Sequence, residues 1–293
     1  MIRLRRDRSK AAINHNFYGK RKEAFEKELL LEERSIKRRG TGKHDFKGKG
    51  KRWGQAKEQL FVETRDKCAY CEATTKTTHY GDVEHYRPKS IYWWLVYCYD
   101  NYLVSCRICN QSKVDHFPIQ NGKMRGPAIR SNTTDAFIAS KAGTIAPDSL
   151  NEVEVDEFIG KHEQERPLLL NPYFDDPAEY FAWRADDVLR EVEVTPNSEN
   201  FQVEVIIKTE NPDVERIAEA SIRYYGLNRK ELKDHRYSIY KYYSGYRQIL
   251  EYDRIPPEVQ RISRNVIERM KSPGEPFAGM IRYFDASFSA IEI

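Results

Sequence analysis

Two cysteine pairs constrain this chain more than any other feature. Cys68-Ala-Tyr-Cys71 and Cys106-Arg-Ile-Cys109 hold four of its five cysteines. Each C-x-x-C turn aims two sulfurs at one point, and two such turns make a closed tetrahedral site for Zn²⁺. A closed four-thiolate site is structural, so chemistry has to sit elsewhere. The spacer, residues 72–105, is 34 residues long, more than a simple zinc ribbon uses. Within it, Glu84 and His85 stand side by side in the stretch GDVEHYRPKS. Alone the pair means little, because neighbours on a strand point to opposite faces. Its place between the cysteine pairs gives it weight. The fifth cysteine, Cys98, reads as a small buried apolar residue.

The spacer has a readable order. Residues 80–87 read as a strand carrying the acid and the histidine, 88–100 as a loop, and 101–106 as a returning strand. A helix then starts with CRICNQSKVD. A strand–loop–strand–helix unit this small, clamped by zinc at its ends, depends on its metal. His79 is a spare zinc donor by residue type and otherwise a structural or exposed histidine.

Helical signals surround this unit. Residues 17–39 combine strong helix formers with opposite charges four apart. The Gly- and Lys-rich stretch that follows, GTGKHDFKGKGKRWG, reads as a mobile loop, and 55–66 as a second helix. Residues 166–182 hold an apolar run, Asn-Pro and Asp-Asp-Pro turn signals and an aromatic segment, and 187–208 have strand-like Val/Ile content. From 212 on the chain is helical, with Pro212 and Pro256 at helix starts and Gly226 at a helix end. The tyrosines between 237 and 252 read mainly as packing residues, and Trp93 and Trp94 as core. The class is α+β and mostly helical, in three regions: a basic N-terminal extension, 1–55; the cysteine-bracketed core, 56–130; and a mainly helical region, 131–293.

Composition bounds the function. The chain has 293 residues, 40% hydrophobic and 32% charged, as a soluble globular protein requires. It has no apolar run of about 18 residues and no apolar core segment behind its basic start, so neither a membrane span nor a secretory signal is expected. Cytoplasmic residence is the expectation. Net charge is +4, yet residues 1–53 carry 18 Lys/Arg against 7 Asp/Glu, a local net of +11. That asymmetry fits a polyanion such as nucleic acid, or else a solvated tail or partner-docking arm.

The order Cys-x-x-Cys, Glu84-His85, Asn101, then Cys109-Asn110-x-x-Lys113 resembles HNH endonucleases of the ββα-metal fold. The resemblance implies a general base at His85, and Glu84 and Asn110 as ligands of one Mg²⁺ or Mn²⁺. It also implies a structural role for Asn101 in holding the looped segment and so orienting His85. Asn110 stands where the family name has a histidine, which points to Mg²⁺ or Mn²⁺ over Zn²⁺ at the catalytic position. Asp82, Asp115 and His116 are further candidate ligands. Arg87, Lys89, Arg107 and Lys113 are candidate nucleic-acid contacts. His15, His44, His162 and His235 receive no role.

Beyond the core, VEHYRPKS, NYLVSCRICNQSKVDHFP, RPLLLNPYFDDPAEYF and ASIRYYGLNRKELKDHR are similar, in order, to HNH nucleases of prokaryotic anti-phage systems, those of Septu and the related retron effectors. This covers roughly residues 60–237. It implies DNA cleavage in phage defence with an ABC-type ATPase partner, for which the Tyr-rich C-terminal region is a docking surface. The chain itself has no G-x-x-x-x-G-K-[ST]. An RNA or tRNA nuclease with the same active site is one alternative. A non-catalytic zinc module binding nucleic acid or a partner is another.

Overall fold

The computed structural model describes residues 1–76, 80–197 and 212–289. The first long element is α1 (Gly19–Arg39), whose buried face presents Phe25, Leu29, Leu30 and Ile36. Gly40 ends it in the left-handed conformation, donating its N–H to the Ile36 carbonyl. A single turn, α2 (Gly50–Trp53), and then α3 (Lys57–Thr64) lead into the cysteine-bracketed region. The Gly/Lys stretch expected as loop therefore holds one helical turn.

Strand β1 (Asp82–His85) pairs antiparallel with β2 (Tyr102–Ser105), Glu84 opposite Leu103 and His85 opposite Tyr102. Gly81 enters β1 at a φ of +58°, and a Cβ there would lie 2.6 Å from the Phe61 ring. Only glycine meets both conditions. The connection between the strands carries two short 3₁₀ turns, Trp93–Leu95 and Tyr99–Asn101. Helix α4 (Arg107–Lys113) follows β2 directly. Strand, loop, strand and helix thus fall where the spacer pattern put them.

Helices α5 (Asp135–Lys141) and α6 (Glu152–Glu165) start at Thr134 and Asn151, whose side chains accept from first-turn N–H groups. After the short α7 (Pro177–Tyr180) comes a hairpin, β3 (Phe181–Asp186) and β4 (Glu191–Pro196). The aromatic segment ending at 182 thus runs into a strand, and the strand expected over 187–208 covers 191–196. Residues 198–208 of that expectation lie outside the described residues, as does His79. Helices α8 (Pro212–Tyr224), α9 (Lys230–Leu250), α10 (Pro257–Met270) and α11 (Ala278–Ser289) complete the chain. The fold is α+β and mostly helical.

The largest apolar core crosses residue 130. It joins Cys68, Cys71, Cys109 and Tyr70 to Leu170, Trp183, Tyr225, Leu227 and Phe277. Tyr70 and Tyr225 stack face to face at 3.8 Å. The helical region therefore forms a wall of the cysteine cluster. In the tyrosine row, Tyr243 is buried and Tyr237, Tyr240 and Tyr246 pack against this core, while Tyr242 and Tyr252 are exposed. Trp94 and Cys98 are buried, as their neighbours in the sequence suggest. Among the described residues no helix is long and apolar enough to cross a membrane.

Candidate active site

The site starts from the four cysteines. Cys68 and Cys71 lie on a turn after α3, and Cys106 and Cys109 at the start of α4, with the Cys106 sulfur accepting from the Cys109 N–H at 3.5 Å. The four Sγ atoms all lie within 4.8 Å of one another, Cys71 and Cys106 at 4.0 Å. Four thiolates about 2.3 Å from one zinc ion stand roughly 3.8 Å apart, so these four could hold such an ion with little adjustment. Four thiolates around Zn²⁺ leave net negative charge. Arg229 answers it from the α8–α9 connection, with its guanidinium 3.5 Å from Cys109 Sγ and 3.9 Å from Cys71 Sγ.

Beside this cluster opens a cleft of about 350 Å³ lined by Trp53, Val83, Glu84, His85, Pro88, Lys89, Asn110, Gln111, Val114 and Asp115. It gathers Glu84, His85 and Asn110.

His85 is held on three sides. Its Nε2 lies 3.0 Å from the Val96 carbonyl oxygen, which only accepts, so Nε2 carries the proton and Nδ1 keeps its lone pair. The ring meets Tyr102 edge-on at 5.1 Å and Trp53 edge-on at 5.2 Å. Burial pushes its pKa down to about 3, with Lys89 and Lys113 acting in the same direction. The imidazole is therefore neutral at pH 7.

Glu84 is buried, with its Oε1 2.6 Å from Lys113 Nζ. Burial raises its pKa and the Lys113 ammonium opposes that rise. Lys113 also donates to the His85 carbonyl at 3.2 Å, tying α4 to β1. Asn110 Nδ2 donates to Asp82 Oδ2 at 3.2 Å. A carboxylate can only accept, so Asp82 fixes the amide with Oδ1 as its spare acceptor. A carboxylate and an amide oxygen are hard donors of the kind Mg²⁺ and Mn²⁺ take. Asn101 spans the loop: it accepts from the Arg87 N–H at 2.8 Å and donates to the Arg87 carbonyl at 3.0 Å, two residues past His85.

Two candidate nucleic-acid contacts require correction. Arg87 is fully buried; its guanidinium lies 2.8 Å from Glu165 and 3.0 Å from His162 Nδ1. Lys113 is fully buried against Glu84. Neither presents its charge to a phosphate, because desolvating a cation requires a close anion and each has found one. Lys89 is half-buried in the cleft wall, and Arg107 is exposed at the start of α4. His116 is exposed, its ring against Tyr224, and does not line the cleft, whereas Asp115 does. Sequence reasoning missed Trp53, Arg229 and the Glu165–His162 pair around Arg87. Each reaches the site through a distant contact with no spacing signal.

Fold and site together define a chain with a four-cysteine cluster that could hold a metal ion, beside a polar cleft built on a ββα unit. The chain is similar to the Septu protein PtuB of Bacillus mycoides (strain KBAB4), 24% identical over 257 residues that cover 76% of this chain and 70% of that protein. It is also similar to the Septu protein PtuB of Bacillus thuringiensis, 39% identical over 67 residues, 22% of this chain and 26% of that one. No family model matches the chain, and no solved structure matches it.

Proposed function

We propose that this chain is a metal-dependent HNH endonuclease that hydrolyses phosphodiester bonds in DNA, the nuclease effector of a prokaryotic anti-phage system. On this reading it works in the cytoplasm with an ABC-type, PtuA-like ATPase, as the likeness to the Septu proteins suggests. The observation that carries the reading is His85: a neutral imidazole with its Nε2–H engaged, in one cleft with Glu84 and Asn110.

His85 Nδ1 takes the proton of the attacking water. The water oxygen bonds to phosphorus, the bond to the leaving sugar oxygen breaks, and that oxygen is protonated from solvent. Glu84 and Asn110 would hold a divalent cation, which when bound would supply charge stabilisation for phosphodiester hydrolysis. Lys113 holds the His85 carbonyl and Asn101 holds the backbone at Arg87, two residues on, which steadies the base relative to that phosphate. A zinc ion on Cys68, Cys71, Cys106 and Cys109 is structural. Lys89, Arg107 and the basic N-terminal region draw in the polyanion, so binding weakens steeply with salt. The sequence carries no mark of base readout, so low specificity, or specificity lent by the partner, is the expectation.

The test is purified chain, with and without the ATPase, against plasmid DNA, single-stranded DNA and tRNA in Mg²⁺ or Mn²⁺. His85→Ala is expected to keep its zinc and fold while losing about 10²–10⁴ of the cleavage rate. Cleavage of tRNA alone would replace DNA as the substrate. Absence of metal-dependent cleavage in every arm would leave a binding module.

A further inference from the structure

We propose that Trp53 is a positioning residue for His85, so that the segment before residue 56 completes the catalytic cleft. The inference rests on the nuclease reading. Among the described residues Trp53 is the one cleft-lining residue from before β1. Its ring stands at 82° to the His85 imidazole with centroids 5.2 Å apart, an edge-to-face contact.

The place of Trp53 is fixed by its neighbours. Arg52 ties the α2 turn to α1 and to the inter-strand loop: its NH1 lies 2.6 Å from Glu28 and 3.2 Å from the Tyr97 hydroxyl, and its guanidinium covers the Phe25 ring at 4.4 Å. Trp53 itself packs against two apolar clusters. One contains Phe17, Leu60 and Tyr102; the other contains Phe25, Leu29, Val96 and Tyr97. It therefore touches the imidazole and packs on the two clusters to which Tyr102 and Val96 belong, and the Val96 carbonyl accepts the Nε2 proton.

One hydrogen bond does not fix an imidazole ring, because its terminal torsion is soft and broadly two-fold. Tyr102 blocks one side of His85. Without Trp53 the ring loses one of its two edge-to-face contacts on the cleft lining, and Nδ1 no longer keeps one direction. A positioning role is felt in turnover more than in affinity, because the phosphate contacts lie elsewhere.

The experiment uses the full chain with its metals, comparing Trp53→Ala, Trp53→Phe and His85→Ala. Zinc content and melting temperature certify folding; if Trp53→Ala loses its zinc, Trp53→Leu, which keeps bulk without an aromatic ring, is read in its place. Trp53→Ala is expected to lower kcat about 10–100-fold, the scale of a misplaced catalytic group, with KM changed less than about threefold. Trp53→Phe restores most of kcat. In ¹⁵N-histidine NMR, His85 loses its single Nε2–H tautomer signature in Trp53→Ala and keeps it in Trp53→Phe. Wild-type kcat in Trp53→Ala, a loss confined to KM, or an intact tautomer signature overturns the proposal. If His85→Ala cleaves like wild type, the assignment of His85 as the base is what fails, and the NMR comparison still decides whether Trp53 holds the ring.

Discussion

Asp82 and Arg87 show how a single side chain's role is set by what it faces. Asp82 sits at the start of β1 and holds the Asn110 amide by its nitrogen. If Asn110 Oδ1 is a metal ligand, Asp82 selects it. Asp82→Asn removes the selection, because a second amide can pair with either end of the first. The expected outcome is Mn²⁺ affinity weaker by about 10–100-fold, the usual worth of a group orienting a ligand. A Mn²⁺ titration followed by electron paramagnetic resonance checks this, and unchanged affinity would remove Asp82 from the metal's surroundings. Arg87 carries a different expectation. Breaking a buried ion pair leaves a lone charge inside, so Glu165→Ala is expected to cost about 3–5 kcal/mol of stability. Urea unfolding measures it, and a loss below 1 kcal/mol would mean that water reaches the pair. The grouping of Glu84, His85 and Asn110 in one cleft was legible because the pattern is local, the first two between the cysteine pairs and the third directly after Cys109. Arg87 was not, because its partner Glu165 lies 78 positions away. A lone Arg or Lys in a motif reads as surface until its anion is known.

The elements around the cysteine cluster were legible for a different reason. Alternation and turn signals place β1, β2 and α4 in short segments, and the two C-x-x-C turns leave few ways to close them. The β3–β4 hairpin was only half legible, since its first strand hides in an aromatic segment that also packs against helices. Arg229 was invisible as well, although it ties the α8–α9 connection to the sulfurs. Both ends of the ββα unit meet at the cysteine cluster, so in the proposed reading zinc supports its order alongside the apolar core. Cys106→Ser opens that site and is expected to lower the melting temperature. It should also raise amide exchange in β1, β2 and α4, and in residues 225–236, which pack on the cluster through Tyr225 and Arg229. A folded Cys106→Ser chain without zinc and with unchanged exchange would refute a structural metal.

At the scale of the whole molecule, residues on both sides of position 130 share one core, and its buried histidines make stability depend on acidity. His162 shows the effect most cleanly. It sits on α6 with Nδ1 accepting from Arg87 at 3.0 Å and its ring beside Phe174 and Tyr86; burial, and then the Arg87 charge, push its pKa down to about 3. The unfolded chain titrates this group near 6.5. Below about pH 6.5 the unfolded state therefore binds the extra proton first, and stability falls as pH falls, by up to about 1.4 kcal/mol per pH unit, until the folded group titrates near 3. Above pH 6.5 the group contributes no slope. Asp175 acts with opposite sign: burial raises its pKa to about 6, so it adds stability on acidification from there. The two are separated by difference. Gln in place of His162 can still accept from Arg87 but does not titrate, so His162→Gln is expected to lose less stability than the parent chain between pH 6.5 and 5. Urea unfolding at each pH gives both curves. Curves that stay parallel over this window would mean that His162 takes up its proton in the folded state as readily as in the unfolded one. The Arg87–His162 contact would then be open to water, and the seam joining the helical region to the strand that carries His85 would be looser than its packing implies.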